Sequence, residues 1–293
     1  MSIDLTGITN KNEYYTNHYF STIFEENADE AITAWAQAAK SSEEICTPWA
    51  QLRQNARQFY PLHDRYAGGA LNLQLLAAIR TMADRYLASL GYPEAAPELV
   101  PVDASLSVPV YLEMKKSNGA PLLWVMLSAS RESDAGILES NVFDGNIAEE
   151  DAFGAVHSDD LLELKNEDLA TQILFGAAEP PRFLLFISLN QIALIDRNKW
   201  SEKRYLQFEL EDIFSRLELT TLQAMVVLLH KDSLCPEDGS ILLDELNEQS
   251  QKNAAGVSQD LKYALRECIE LLGNEVLHLS LIHISEPTRL DVI

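Results

Sequence analysis

Three side chains of this 293-residue chain have the types and spacing of a phosphodiester-hydrolysing set: Asp103 in VPVDAS, and Glu113 and Lys115 in YLEMKK. Glu113 and Lys115 stand two positions apart, so a strand carries both on one face. The carboxylates of Asp103 and Glu113 would hold Mg2+ beside a scissile phosphate, and the Lys115 ammonium would orient water or steady the developing charge. Asp103, Glu113 and Lys115 are therefore the candidate catalytic residues, and Asp103 and Glu113 the candidate metal ligands. The pattern also arises by chance, and an E-x-K on an exposed hairpin is usually a solvated face. Register offers a competing reading. If the working strand is the later APLLWVMLSAS, the acid and lysine positions fall near Ser128 and Ser130, and the site is dead.

The elements that must position this set are strands. SVPVYLEMKK alternates and ends in charge, SNG makes a turn, and APLLWVMLSAS is a run of strand formers, which predicts a hairpin over Val108–Ala129. A helix fits Asp160–Phe175. After the breaker AAEPP, the two apolar runs of RFLLFISLNQIALIDRNKW around Leu189-Asn190-Gln191 predict a second hairpin, half of it buried on both faces. This order of hairpin, helix and hairpin matches divalent-metal nucleases of the PD-(D/E)xK type, with Gln172 the analogue of a helix Gln some of them carry. On its own such a Gln is a surface residue. The acidic run Arg131–Asp160 has no period and reads as a loop.

Helices flank this middle part. In NADEAITAWAQAAKS, Asn27 and Glu30 form a loose capping box ahead of Ile32, Trp35, Ala36 and Ala39. Leu71, Leu75, Ile79, Met82 and Leu87 line a second helix that Gly91 and Pro93 stop. Thr220 and Gln223 read as a capping box, and Ser258 as the cap of a helix with Leu261, Ala264, Leu265, Cys268, Ile269 and Leu272 in one stripe. The expected fold is α/β (α+β): a helical part over 1–95, a nuclease-like mixed sheet over 96–200 and a helical connector over 201–278.

Other constellations carry less. Acidic residues in His157-Ser158-Asp159-Asp160 suit a helix start better than a metal. His63-Asp64 lies in a Tyr-rich loop with no nucleophile beside it. Glu179-Pro180-Pro181-Arg182 lacks the amide and the aromatic of a base-gripping motif, and Gly68-Gly69 follows no strand. Trp124 and Trp200 read as core or rim aromatics. Cys46, Cys235 and Cys268 are too far apart for a zinc or disulfide pattern.

Lys+Arg 22 against Asp+Glu 45 gives a formal net charge of -23, a field that repels phosphate backbones. The 47% hydrophobic content is enough for a sizeable core. No run is long and apolar enough for a bilayer, and the start lacks a secretory layout, so the expected location is the cytoplasm, with no membrane partner.

Whole phrases resemble a family. NEYYTNHYFSTIFEEN, PPRFLLFISLNQIALIDRNKWSEKRYLQFELEDIFSR and LLDELNEQSQKNAAGVSQDLKYALRECIELLGNEV are similar to the N-terminal region of very large bacterial DNA adenine methyltransferases. These are related to type IIG restriction-modification proteins and to the methylase of the DISARM phage-defence system. The resemblance covers most of Asn10–Leu277. It implies a parent enzyme that transfers a methyl group from S-adenosylmethionine to adenine N6, and that acts on DNA with defence-complex partners. The cofactor fold and its Asn-Pro-Pro-Tyr motif would follow LLGNEV and are not in this sequence. The segment itself is then a nuclease-like or scaffold domain, with Mg2+ at Asp103 and Glu113 if it cleaves. An acidic module fits an enzyme whose DNA grip lies in other domains, or one that docks a basic partner.

The last residues, LSLIHISEPTRLDVI, do not continue the preceding pattern. Back-translated, Leu279–Arg289 resembles the end of a transposase-based sequencing adapter read in frame, with index sequence to Ile293. Residues 279–293 are therefore expected to be a library artefact fused to an interrupted gene.

Overall fold

The computed structural model describes residues 4–41, 46–66, 73–103, 106–128, 136–141, 164–237 and 239–285. It forms two units, Met1–Asn247 and Glu248–Ile293. The chain opens with β1 (Ile8–Lys11), α1 (Asn17–Thr22), α2 (Phe24–Ser41), α3 (Pro48–Tyr66) and α4 (Leu73–Ser89). Next come β2 (Glu98–Pro101), β3 (Ser107–Val110), β4 (Leu112–Lys115), β5 (Pro121–Leu127), α5 (Asn166–Gly176), β6 (Phe183–Ile187) and β7 (Gln191–Asp196). The remainder is α6 (Arg197–Trp200), β8 (Tyr205–Glu209), α7 (Leu210–Arg216), α8 (Leu219–Leu229), α9 (Lys231–Leu234) and α10 (Leu242–Ser285).

In the first unit a six-stranded mixed sheet has the order β1-β8-β7-β6-β5-β4, and β2 and β3 form a separate ribbon. Only β5 and β6 run parallel, and α5 lies between them in the chain, as a parallel pair requires a crossover. β6 is buried at every position and β7 at all but its first, so these central strands read as continuous apolar runs rather than alternating ones. α8 is apolar nearly all round and correspondingly buried from Leu222 to Leu229 apart from Gln223. It packs on α2 and α3, which with α4 form the helical layer.

The second hairpin forms over Phe183–Asp196, and the first forms over Leu112–Leu127, with Gly119 at a φ of +85° closing it; Val108–Val110, read as the start of the first hairpin, pairs with β2 in the separate ribbon instead. Ala129 lies outside the described residues, as do His157–Asp160, Gly68-Gly69 and most of the acidic run. α5 begins at Asn166, where Asn166 and Glu167 donate to the carbonyls of Ser140 and Leu138. Trp124 and Trp200 are core residues.

Several expectations are corrected. His63 and Asp64 stand in α3, not in a loop; Pro61 interrupts the pattern, but Leu52, Ala56 and Phe59 still bury one face. Asn27 does not cap α2, which starts at Phe24 because Phe24 is fully buried; the Asn27 amide donates to Tyr19 Oη instead. Thr220 and Gln223 lie inside α8, where Thr220 Oγ1 accepts from the Asp4 N–H. Ser258 is interior to α10, which continues through Gly256. The sheet also recruits β1 and β8 from segments read as helical, so its strands come from either side of residues 96–200.

Candidate functional site

β4 is an edge strand, and its register sets Glu113 opposite Trp124. Trp124 Nε1 donates to Glu113 Oε1 at 3.0 Å, and Lys115 Nζ lies 2.9 Å from Glu113 Oε2. Both carboxylate oxygens are thus engaged within one strand pair. The Glu113 carboxylate beside it raises the Lys115 pKa, and Glu98 and Glu179 pull the same way. Lys115 is held as a cation, which suits charge stabilisation and not proton abstraction.

A cleft of about 320 Å3 opens here, lined by Glu98, Glu113, Lys115, Trp124 and Glu179 among others. Three carboxylates around one ammonium leave it negative, so it favours a cation over a bare phosphate. Glu98 lies on β2 and escaped the sequence reading; Glu179 lies in the breaker AAEPP and was weighed there only as part of a base-gripping motif. Trp124 as the partner of Glu113 was not readable from the turn, because an irregularity between Met114 and Lys115 shifts the register by one residue.

Asp103 sits elsewhere in the role it plays. It closes the turn between β2 and β3, where its Oδ1 accepts from the Leu106 N–H at 2.8 Å, and it is not among the residues lining the cleft. Among the described residues no group of three or more His, Cys, Asp or Glu has the geometry to hold a metal ion. The structure therefore brings Glu113 and Lys115 together and leaves Asp103 in a turn. Gln172 is exposed on α5.

The competing register has its own geometry. β5 is the strand that joins the hairpin to the parallel crossover, and Ser128 follows it directly. Ser128 is buried, its N–H donates to the Ile187 carbonyl at 2.8 Å, and its Oγ accepts from Asn166 Nδ2 at 2.9 Å. A small hydroxyl pinned to a buried amide stands at that position; Ser130 lies outside the described residues.

A second polar cluster is architectural. Arg182 forms a bidentate pair with Asp244 and a 3.2 Å contact with Asp196. Lys199 Nζ donates to the Tyr14 carbonyl at 2.6 Å and lies 3.8 Å from the Tyr14 ring centroid and 4.6 Å from that of Tyr15. Burial lowers its pKa to about 8, against the pull of Asp196. Lys199 thereby fastens the segment after β1 to α6.

Among the described residues no helix is long and apolar enough to cross a membrane. The chain matches no protein-family model, no curated protein and no solved structure.

Proposed function

We propose that this chain is the N-terminal, nuclease-like portion of a DNA restriction-modification or phage-defence enzyme, and that it acts as a non-cleaving scaffold. The parent enzyme would methylate adenine N6 with S-adenosylmethionine through a domain outside these residues. The carrying observation is the run β4-β5-α5-β6, an antiparallel hairpin followed by a helix and a parallel strand. It is the order expected of a nuclease core, in a chain whose phrases resemble such methyltransferases. Loss of cleavage is supported by Ser128 at the end of β5 and by Glu113, whose two oxygens are taken by Trp124 and Lys115.

A second reading keeps the cleavage chemistry. It rests on the cleft beside Glu113 and Lys115, where Mg2+ would be held by Glu113 with Asp103 or a cleft carboxylate. The parent's identity is tested by recovering the reading frame downstream of Leu277 and assaying transfer of labelled methyl from S-adenosylmethionine to duplex DNA. An adenosylmethionine loop, an Asn-Pro-Pro-aromatic motif and methylated adenine are expected. A downstream frame without them sinks the proposal.

A further inference from the structure

The second unit contributes one long helical segment whose apolar residues face solvent. Val257, Leu261, Leu265, Ile269, Leu272 and Val276 on α10 are each at least 44% exposed, and Cys268 is exposed in the same stripe. A continuous apolar stripe of this kind requires a cover. Its sequence says what kind.

The stripe reads alike from either end. About the midpoint between Arg266 and Glu267, Leu265 mirrors Cys268, Leu261 mirrors Leu272, and Val257 mirrors Val276. A two-fold interface needs this self-complementarity, because each residue must meet its mirror position on the other copy. In heptad terms Leu265 and Leu272 hold a positions and Leu261 and Cys268 hold d positions, and antiparallel helices pair a with d in every layer. The next layer outward pairs Ser258 with Glu275. A parallel, in-register pair would instead press Glu275 against Glu275, a like-charge contact inside an apolar seam.

We infer that Val257–Val276 is the seam of an antiparallel homodimer. Four apolar layers form its core, and the Ser258–Glu275 layers end it on both sides. The whole seam precedes Leu279, so it owes nothing to the adapter-like tail.

Cross-linking of the full chain tests it, in a background of Cys46→Ser and Cys268→Ser. Leu261→Cys and Leu272→Cys chains are purified separately, checked by circular dichroism for native helix content, and oxidised alone and mixed. The mixture is expected to give a disulfide-linked dimer, with little from either chain alone, and light scattering of the unmodified chain should return twice the monomer mass. Leu265→Glu, which is exposed in a single chain, should return that mass to the monomer without loss of helix. A monomeric unmodified chain, cross-links equally strong within each variant alone, or a dimer unaffected by Leu265→Glu would each overturn the seam.

Discussion

Lys199 offers a test of how the N-terminal segment is fastened to the sheet. Its ammonium is enclosed by Tyr14, Tyr15 and the Tyr14 carbonyl, and burial lowers its pKa from 10.5 to about 8. Above about pH 8 the folded lysine loses its proton while the unfolded one keeps it, so the unfolded chain binds more protons and stability rises with pH. Below that the contribution is flat. Each pH unit in the window is worth about 1.4 kcal/mol, so the gain from about pH 7.5 to about pH 9.5 is roughly 2 kcal/mol. Cys235, pushed up to about 12 by burial, acts in the opposite direction above its ordinary 9.0. The informative quantity is therefore the difference between the unmodified chain and Lys199→Met, measured by urea unfolding across that range. The gap is expected to change by roughly 2 kcal/mol in favour of the unmodified chain as pH rises. Parallel pH profiles would refute a buried, proton-shedding Lys199.

Three further outcomes follow from the same packing. Arg182→Met leaves Asp196, whose side chain is 4% exposed, without its cation and should cost about 3 kcal/mol in denaturant unfolding; a loss below about 1 kcal/mol would show that the pair is dispensable. Gly91 has a φ of +78°, and a Cβ there would stand 2.8 Å from His230 Nε2, so Gly91→Ala should lower stability by roughly 2 kcal/mol, and an unchanged melting temperature would contradict that contact. Burial lowers the His230 pKa below 6.5, and neutral Nδ1 accepts from the Asp232 N–H at the start of α9. Stability should therefore fall as pH drops below 6.5, and His230→Asn, which still caps, should flatten that limb; an unaltered acid limb would assign the titration elsewhere.

The sequence carries its strongest signals where one element satisfies itself locally. The hairpin of β4 and β5 and that of β6 and β7 were legible because apolar runs and turn residues define both halves. β1 and β8 were not: the four residues of β1 have no pattern of their own and become a strand only through pairing with β8, about two hundred positions on in the chain. α3 was hidden by Pro61 and by polar residues on its outer face. The apparent capping boxes at Asn27 and Thr220 failed because tertiary burial of Phe24 and contacts to Asp4 set those helix ends. At the candidate site, spacing alone placed Glu113 and Lys115 on one strand face. It could not foresee that the two would neutralise each other, or that Asp103 would be spent on a turn.

The central claim of the proposed function is that the unit carrying β4 and β5 does not cut DNA. The direct measurement is nicking of supercoiled plasmid by the full chain with Mg2+ or Mn2+, beside a Lys115→Ala control. Intact supercoiled DNA with either ion is the predicted result, because Glu113 is closed onto Trp124 and Lys115 and Ser128 stands at the end of β5. Metal-dependent nicking that Lys115→Ala abolishes would contradict the account and establish Glu113 and Lys115 as a working site.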